Sequence, residues 1–385
     1  MNIAIIGSGP SAFYTVQSLL REKINLKIDI FEKLPAPFGL VRYGVAPDHQ
    51  KTKNITRLFT KYLYEEKVNY FGNIEIGKDI SIELLSDLYD AVIMSSGATE
   101  DRQLNIEGDD FSNVYGSGKF VGWYNGNPNY SSLSPNFRTK NAIIIGNGNV
   151  ALDCARVLAK CEEELYQSDI MNFTLNYLNN SEIENIYIIG RRTPKDSKFT
   201  ISELREIGDL KLFDPVVDYD IKELERILDN NIDTKIKKNI EVFINFKKLV
   251  PNKRNKIIFK FLSTPHRIVN KNSSYDLLIK KNKLVNNKII STQEKEVINA
   301  GLIISAIGYK VSPIEGLKLD STGTFFLNHK GHIKKNIYTN GWAAGASVGV
   351  IGTNKIGASL LAKKILTEIK NEKNNSREKV LEYFN

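Results

Sequence analysis

Two hexapeptides in this 385-residue chain, Gly7-Ser8-Gly9-Pro10-Ser11-Ala12 and Gly146-Asn147-Gly148-Asn149-Val150-Ala151, match the spacing G-x-G-x-x-G/A. The first glycine of that pattern permits a tight turn, and the second lets a pyrophosphate approach the backbone. The small third residue lets the next helix pack closely, with its N-terminus facing the negative charge. Glycine-rich turns end many strands, so the residues that follow each loop carry the distinction. Glu32 stands 20 residues beyond Ala12, at the end of the next strand. A carboxylate there accepts hydrogen bonds from an unphosphorylated ribose, which suits FAD or NAD. At the corresponding point the second unit has Gly190-Arg191-Arg192. Adjacent arginines are often plain surface charge, but here the two guanidiniums match the dianion of a 2′-phosphate and point to NADP(H). NADPH releases two electrons together, whereas a flavin takes the pair and releases it singly. A flavin between NADPH and a one-electron carrier follows.

The elements that must hold these loops can be read from the same sequence. Residues 2–7 are an apolar, β-branched run, followed by a helical pattern at Ala12–Leu20 and a strand at Lys27–Phe31. After the turn-rich Leu34–Gly39, a later strand at Asp90–Met94 ends in Ser95-Ser96-Gly97-Ala98. The plan restarts with a strand at Asn141–Gly146, a helix at Val150–Ala159 and a strand at Asn185–Ile189, and Leu302–Gly308 mirrors the strand near 91–97. A further strand at Ile337–Trp342 and a helix near 356–370 cannot bury themselves alone, so they are expected to return to the first unit. The expected fold is α/β, with two Rossmann-like dinucleotide-binding domains, the first discontinuous. Residues 1–104 and 326–385 would form the FAD-binding domain and 105–325 the NADP-binding domain. Between Leu210 and Asn299, a helix at Asp220–Leu228 alternates with short strands at Val242–Phe246 and Lys256–Leu262. Residues from 371 read as a charged end with a short helix.

Composition narrows the class. Hydrophobic residues make up 42% and charged residues 25%, and no apolar run approaches the roughly 20 residues of a bilayer span. The strand-like start leaves no room for a signal or transit peptide, so the expectation is a cytoplasmic protein or a mature form in an organellar matrix. Cys154 and Cys161, read as two small apolar residues on one helix, supply neither a C-x-x-C dithiol nor an iron–sulfur ligand set. The histidines at 49, 266, 329 and 332 lack metal-ligand spacing, so no metal is expected. A net charge of +9 either steers an acidic partner or reflects a compositional bias of Lys/Asn-rich surface stretches such as Lys235–Asn239 and Lys280–Lys288. No nucleic-acid-binding module is recognisable.

Five longer strings go further than the loops: GSGPSAFYT at 7–15, PFGLVRYGVAPDH at 37–49, FVGWYNG at 120–126, GNGNVALDCAR at 146–156 and FTISELRE at 199–206. They resemble ferredoxin–NADP reductase of the adrenodoxin reductase type over nearly the whole chain. The resemblance implies that Ser11, Glu32, Leu40, Ile76, Trp342, Gly349, Val350 and Ile351 contact FAD. It implies Asn147 to Val150 at the NADP pyrophosphate, Arg191 and Arg192 at the 2′-phosphate, Glu203 at the nicotinamide nucleotide, and Gly349 touching both cofactors. His49 and Asp153 match a histidine and an aspartate that the family places near the active site, where an imidazole relays protons or orients groups. The ordinary readings are core packing for Leu40 and Ile76, a packing aromatic for Trp342, a turn histidine for His49, and helix first-turn stabilisation for Asp153.

Two departures stand out. Ala343-Ala344-Gly345-Ala346-Ser347-Val348 replaces the basic pair and Gly-Pro-Thr usual in the family, and the sequence ends sooner after its last helix than typical members do. The expected activity is electron transfer from NADPH through FAD, one electron at a time, to a small acidic [2Fe–2S] ferredoxin-like protein, by a monomer without a membrane span. The alternatives are a flavoprotein like the small subunit of glutamate synthase, though its usual N-terminal cysteine-rich region is absent, a quinone-reducing NADPH flavoprotein, and a non-catalytic FAD/NADP-binding regulatory module.

Overall fold

Short β-branched runs flanked by glycine become strands here because both of their faces are covered, as a parallel sheet requires. In Asn2–Ile6, Lys27–Glu32 and Ala91–Met94, alternate side chains divide between two apolar clusters, Ile3, Ile5, Ile28, Ile30 and Ile93 on one face and Ala4, Ile6, Phe31, Val92 and Met94 on the other. The computed structural model describes residues 1–22, 24–229, 232–286, 288–345, 351–369 and 380. By contacts it divides into two compact units, one of residues 1–45, 49–100 and those described from 308 onward, the other of residues 46–48 and 101–307.

The first unit holds a six-stranded sheet in the order His332–Lys334, Ile337–Thr339, Ala91–Met94, Asn2–Ile6, Lys27–Glu32, Val68–Gly72. All neighbours are parallel except the edge pair of His332–Lys334 with Ile337–Thr339. The helix Pro10–Arg21 crosses one face, where Ala12, Phe13, Val16 and Leu19 meet Ala358, Leu361, Ala362 and Ile365 of the late helix Asn354–Glu368. The late strand and helix therefore pack in the first unit. The return begins at Gly308 rather than at 326, because Val311, Leu317 and Phe326 belong to the apolar cluster on the opposite face.

The second unit repeats the plan. Its parallel sheet runs Val114–Gly116, Leu302–Ser305, Asn141–Ile145, Asn185–Ile189, Asn255–Lys260, Phe213–Asp218. The helices Asn149–Ala159 and Thr234–Lys248 cover one face through Ala151, Leu152, Ala155, Ile240 and Phe243. A three-stranded antiparallel sheet, Ser263–Lys271, Ser274–Val285 and Lys288–Ala300, covers the other through Leu277, Ile279 and Ile298.

Two sequence expectations fail in this unit. Val242–Phe246 lies inside the helix Thr234–Lys248, not in a strand. A short apolar run reads either way by pattern, and burial of Ile240, Phe243 and Ile244 on one helical face decides it, with Asp233 at the N-cap accepting from Lys235 N. Cys161 does not share the helix of Cys154, which ends at Ala159. It stands before the short helix Glu162–Leu165 and donates its thiol to Glu164 Oε2 at 3.2 Å. Cys154 is fully buried, and burial pushes its thiol pKa well up.

Candidate dinucleotide-binding sites

The two glycine-rich loops are braced identically. Gly7 N donates to Phe31 O at 2.7 Å and Ser95 N to Ile6 O at 2.8 Å. Gly146 N donates to Ile189 O at 2.9 Å and Ala306 N to Ile145 O at 2.7 Å. Both first glycines have positive φ, +99° and +147°. A Cβ on Gly7 would lie 2.6 Å from Ser95 O, and one on Gly146 would lie 2.9 Å from the Ala306 carbonyl carbon. Gly9 and Gly148 face open space instead, with nothing within 4 Å of an added Cβ. Each stands at the N-terminus of a helix of 12 or 11 residues without a side-chain cap, which leaves amide donors for an anion.

At the first loop, Glu32 is buried and tied to the loop itself. Oε2 accepts Ser8 N at 2.9 Å and Ser8 Oγ at 2.7 Å, and Oε1 accepts Leu34 N at 3.0 Å. Oε1 thus retains accepting capacity for a ribose hydroxyl. Beside it, burial and then the Glu32 charge push the Tyr70 hydroxyl up to about 12, so the phenol stays protonated. The string at 37–49 reaches this site through strained backbone. Phe38 and Gly39 have φ of +88° and +48°, Phe38 N donates to Ser8 O at 3.0 Å, and a Cβ on Gly39 would lie 3.1 Å from Gly9 Cα.

Sequence reasoning missed Phe38, and it missed Asn340. Asn340 is buried and donates to Thr15 Oγ1 at 2.6 Å while accepting from Ser95 Oγ at 2.7 Å, which joins three segments of the first unit. Its place just before the singled-out Gly341-Trp342 was the only available signal. Ser11 is buried, its Oγ 3.2 Å from Asn354 Oδ1, and Ala12 is fully buried.

At the second loop, the strand register aligns Ile6 with Phe31 and Ile145 with Ile189, so Gly190 occupies the place that Glu32 holds in the first unit. A side chain at Gly190 would run into that of Asn147. Arg191 and Arg192 follow, both exposed, with Arg192 3.9 Å from Asp196. The FTISELRE string comes to the loop as well. Lys198 N donates to Asn147 O and Thr200 N to Asn149 Oδ1, both at 2.8 Å. Glu203 stands half-buried in the first turn of the helix Ile201–Glu206, and Val150 packs against the core.

A paired Rossmann plan with these loops has known counterparts. Residues 1–188 match the family model for pyridine nucleotide-disulphide oxidoreductase. The chain is 39% identical over 370 residues to the NADPH-ferredoxin reductase FprA of Mycobacterium leprae, covering 92% of this chain and 81% of that one. It is 34% identical over 391 residues to the mitochondrial NADPH:adrenodoxin oxidoreductase of Salvelinus fontinalis, covering 95% and 78%. The structure of Mycobacterium tuberculosis FprA in complex with NADPH superposes with a TM-score of 0.92 at 34% identity, covering 99% of this chain and 89% of that one. The chain belongs to the NADPH-ferredoxin and adrenodoxin reductase family.

The remaining residues implied by that family resemblance divide between the units. In the first, Leu40 is 37% exposed, at the start of the short helix Leu40–Tyr43. Ile76 is core beside Phe31, Ile80 and Leu85, so its side chain packs inward. Trp342 is half-buried and stacks on Tyr309 with centroids 6.2 Å apart. Ile351 lies in the turn Ile351–Thr353, partly buried, and Gly349 and Val350 fall outside the described residues. Ala343, which replaces a usually basic residue, is fully buried, and its carbonyl accepts Phe326 N at 3.0 Å. His49 precedes the short helix Gln50–Lys53 and accepts through its carbonyl from Thr52 N and Lys53 N.

Asp153, in the second unit, belongs to a buried ion cluster. The Arg156 side chain is 0% exposed and contacts Asp48, Asp153 at 2.7 Å and Glu206 at 3.2 Å, while Lys160 reaches Asp48 at 2.6 Å. Burial works against the Arg156 charge, but Asp153 and Asp48 outweigh it and raise its pKa further. Among the described residues no His, Cys, Asp or Glu side chains group as a metal site, and no helix is long and apolar enough to cross a membrane.

Proposed function

We propose that the first unit holds FAD on the Gly7–Ala12 loop and Glu32, and that the second holds NADP(H) on the Gly146–Ala151 loop with its 2′-phosphate on Arg191 and Arg192. The chain is an FAD- and NADPH-dependent oxidoreductase that delivers electrons to an iron–sulfur protein, as its family does. The observation carrying the assignment is the contrast at equivalent strand ends: a buried carboxylate in one unit, and in the other a side-chain-free Gly190 followed by two exposed guanidiniums. When bound, the flavin accepts an electron pair from the nicotinamide and releases it in single steps. The residues of this chain supply binding and orientation. Amides at the helix starts face the pyrophosphates, Glu32 accepts from a ribose, and the guanidiniums neutralise the 2′-phosphate. Glu203 acts at the nicotinamide nucleotide, His49 acts on the flavin side, and Asp153, paired with buried Arg156, orders the helix that follows the second loop. The net charge of +9 supports a small acidic [2Fe–2S] partner.

A stopped-flow comparison of the NADPH-reduced protein against oxidised [2Fe–2S] ferredoxin, quinone and oxygen tests the acceptor, and turnover of quinone or oxygen alone would overturn it. Replacing both Arg191 and Arg192 with Ala should narrow the preference for NADPH over NADH by about 10- to 100-fold, as expected for loss of charge-assisted bonds. An unchanged ratio refutes the phosphate assignment.

A further inference from the structure

Along the strand Ser274–Val285, burial alternates strictly at first: Tyr275, Leu277 and Ile279 point into the core, while Asp276, Leu278 and Lys280 point away. Continued alternation would turn Asn282 outward. Instead the pairing with Lys288–Ala300 shifts register between Lys280 and Asn282, and Asn282 is buried at 8% exposure. Bulges of this kind re-aim a side chain and recur beside functional sites.

The Asn282 amide is aimed at the segment Gly190–Arg192. Nδ2 donates to Arg191 O at 2.8 Å and to Thr264 Oγ1 at 2.7 Å. A carbonyl only accepts, so the amide group facing Arg191 O must be the NH2. The neighbouring carbonyls are held from the same side, Gly190 O by Ser263 N at 2.9 Å and Arg192 O by Leu262 N at 3.0 Å. Gly190 N in turn donates to Lys260 O at 2.8 Å. Leu262 adopts φ +51°, a strained value for a branched residue, and its carbonyl accepts Asn282 N at 2.7 Å. The charged side chains nearby, Asp218, Lys260, Lys281 and Glu296, are joined to one another and leave the two arginines to other work.

We propose that Asn282 is a positioning residue for nucleotide specificity: its amide fixes the backbone that presents Arg191 and Arg192 to a 2′-phosphate. Both arginine side chains are exposed, so their aim depends on this backbone. The inference rests on the NADP(H) assignment above.

The test uses the FAD-loaded full chain and measures calorimetric affinity for adenosine 2′-monophosphate together with KM and kcat for NADPH and NADH. Asn282→Ala should weaken 2′-monophosphate binding and raise KM for NADPH roughly 5- to 10-fold, about the effect of one lost buried hydrogen bond. The kcat, and KM for NADH within about twofold, should hold. Thr264→Val, which spares the bond to Arg191, should behave as the parent. Equal weakening toward NADPH and NADH, or none, overturns the role of Asn282. Should the alanine variant fail to fold, the isosteric Asn282→Asp, which loses the same donor, is held to the same expectation. The Arg191→Ala/Arg192→Ala pair separates the two claims, because unaltered 2′-monophosphate binding there sinks the phosphate assignment itself, whatever Asn282 does.

Discussion

Replacing Arg156 with methionine should destabilise the second unit by about 3–5 kcal/mol, the usual cost of removing one partner from a buried ion group. The guanidinium is 0% exposed, while the Asp48 and Asp153 side chains are only 10% and 13% exposed. Lys160 still reaches Asp48 at 2.6 Å, so Asp48 keeps a counter-ion after the change. Glu206, at 39% exposure, can turn to water. The three carboxylates therefore share the loss unequally, which places the expected cost at the lower end, near ~3 kcal/mol. With a urea dependence of about 3 kcal/mol per molar for a unit this large, the midpoint should fall by roughly 1 M. The two tryptophans make the measurement selective, since Trp123 is buried in the second unit and Trp342 belongs to the first. In a Trp342→Phe background, fluorescence follows the second unit alone. Adding Asp153→Asn to Arg156→Met should recover part of the loss, because it removes one of the buried carboxylate charges that Arg156 balances. A midpoint shift below about 0.3 M, or an Asp153→Asn change that adds to the damage, would refute this account of the cluster.

Gly7→Ala should lose flavin, because its Cβ would meet the Ser95 carbonyl at 2.6 Å on backbone held at φ +99°. The flavin-to-protein absorbance ratio after gel filtration measures this, and a full complement of flavin would contradict the close packing of loop and strand. Alkaline pH should weaken the first unit through Tyr70 and Tyr338. Burial, joined at Tyr70 by the Glu32 charge and at Tyr338 by Glu368, pushes both hydroxyls up to about 12. The unfolded chain releases these protons near pH 10 while the folded unit keeps them. The stabilisation is therefore complete below pH 10 and is lost as pH rises toward 12. Tyr338→Phe should flatten that loss in urea midpoints measured across the range, and an unchanged slope would exclude Tyr338 as a contributor.

The strands that flank each glycine loop, and the loops themselves, were legible because each rests on local signals: an apolar run, a glycine-rich turn, and an acid or an arginine pair at the end of the next strand; Val68–Gly72, Val114–Gly116 and Phe213–Asp218 lack such signals. Asn340 and Asn282 were not legible, because a buried asparagine looks like a surface one until the chain that needs it is brought alongside. Lys280–Lys288 read as solvated surface, yet the register shift before Asn282 places that amide against Arg191 O. Asp153 pairs with Arg156 three residues along its own helix, but the buried cluster they join shows only once Asp48 is brought alongside. Helix and strand cannot be separated at Val242–Phe246 from so short an apolar run.

The equivalence of the two loops also bears on why the proposed ligands differ. Ser8 and Asn147 occupy the same place in each loop, and Glu32 and Gly190 the same place at each strand end. Small Ser8 leaves room for Glu32 and donates to it through both backbone and hydroxyl. Asn147 fills the corresponding space with its own amide, so a side chain at Gly190 fits only if Asn147 moves. In the proposed assignment, the charge that selects the nucleotide is thereby displaced one residue outward, onto Arg191 and Arg192. Both guanidiniums are exposed, with Arg192 3.9 Å from Asp196, and the backbone beneath sets where they start. On the proposed assignment, preference for a phosphorylated or unphosphorylated ribose rests on a pair of positions, one in the loop and one at the strand end, and a side chain added at Gly190 requires Asn147 to move as well.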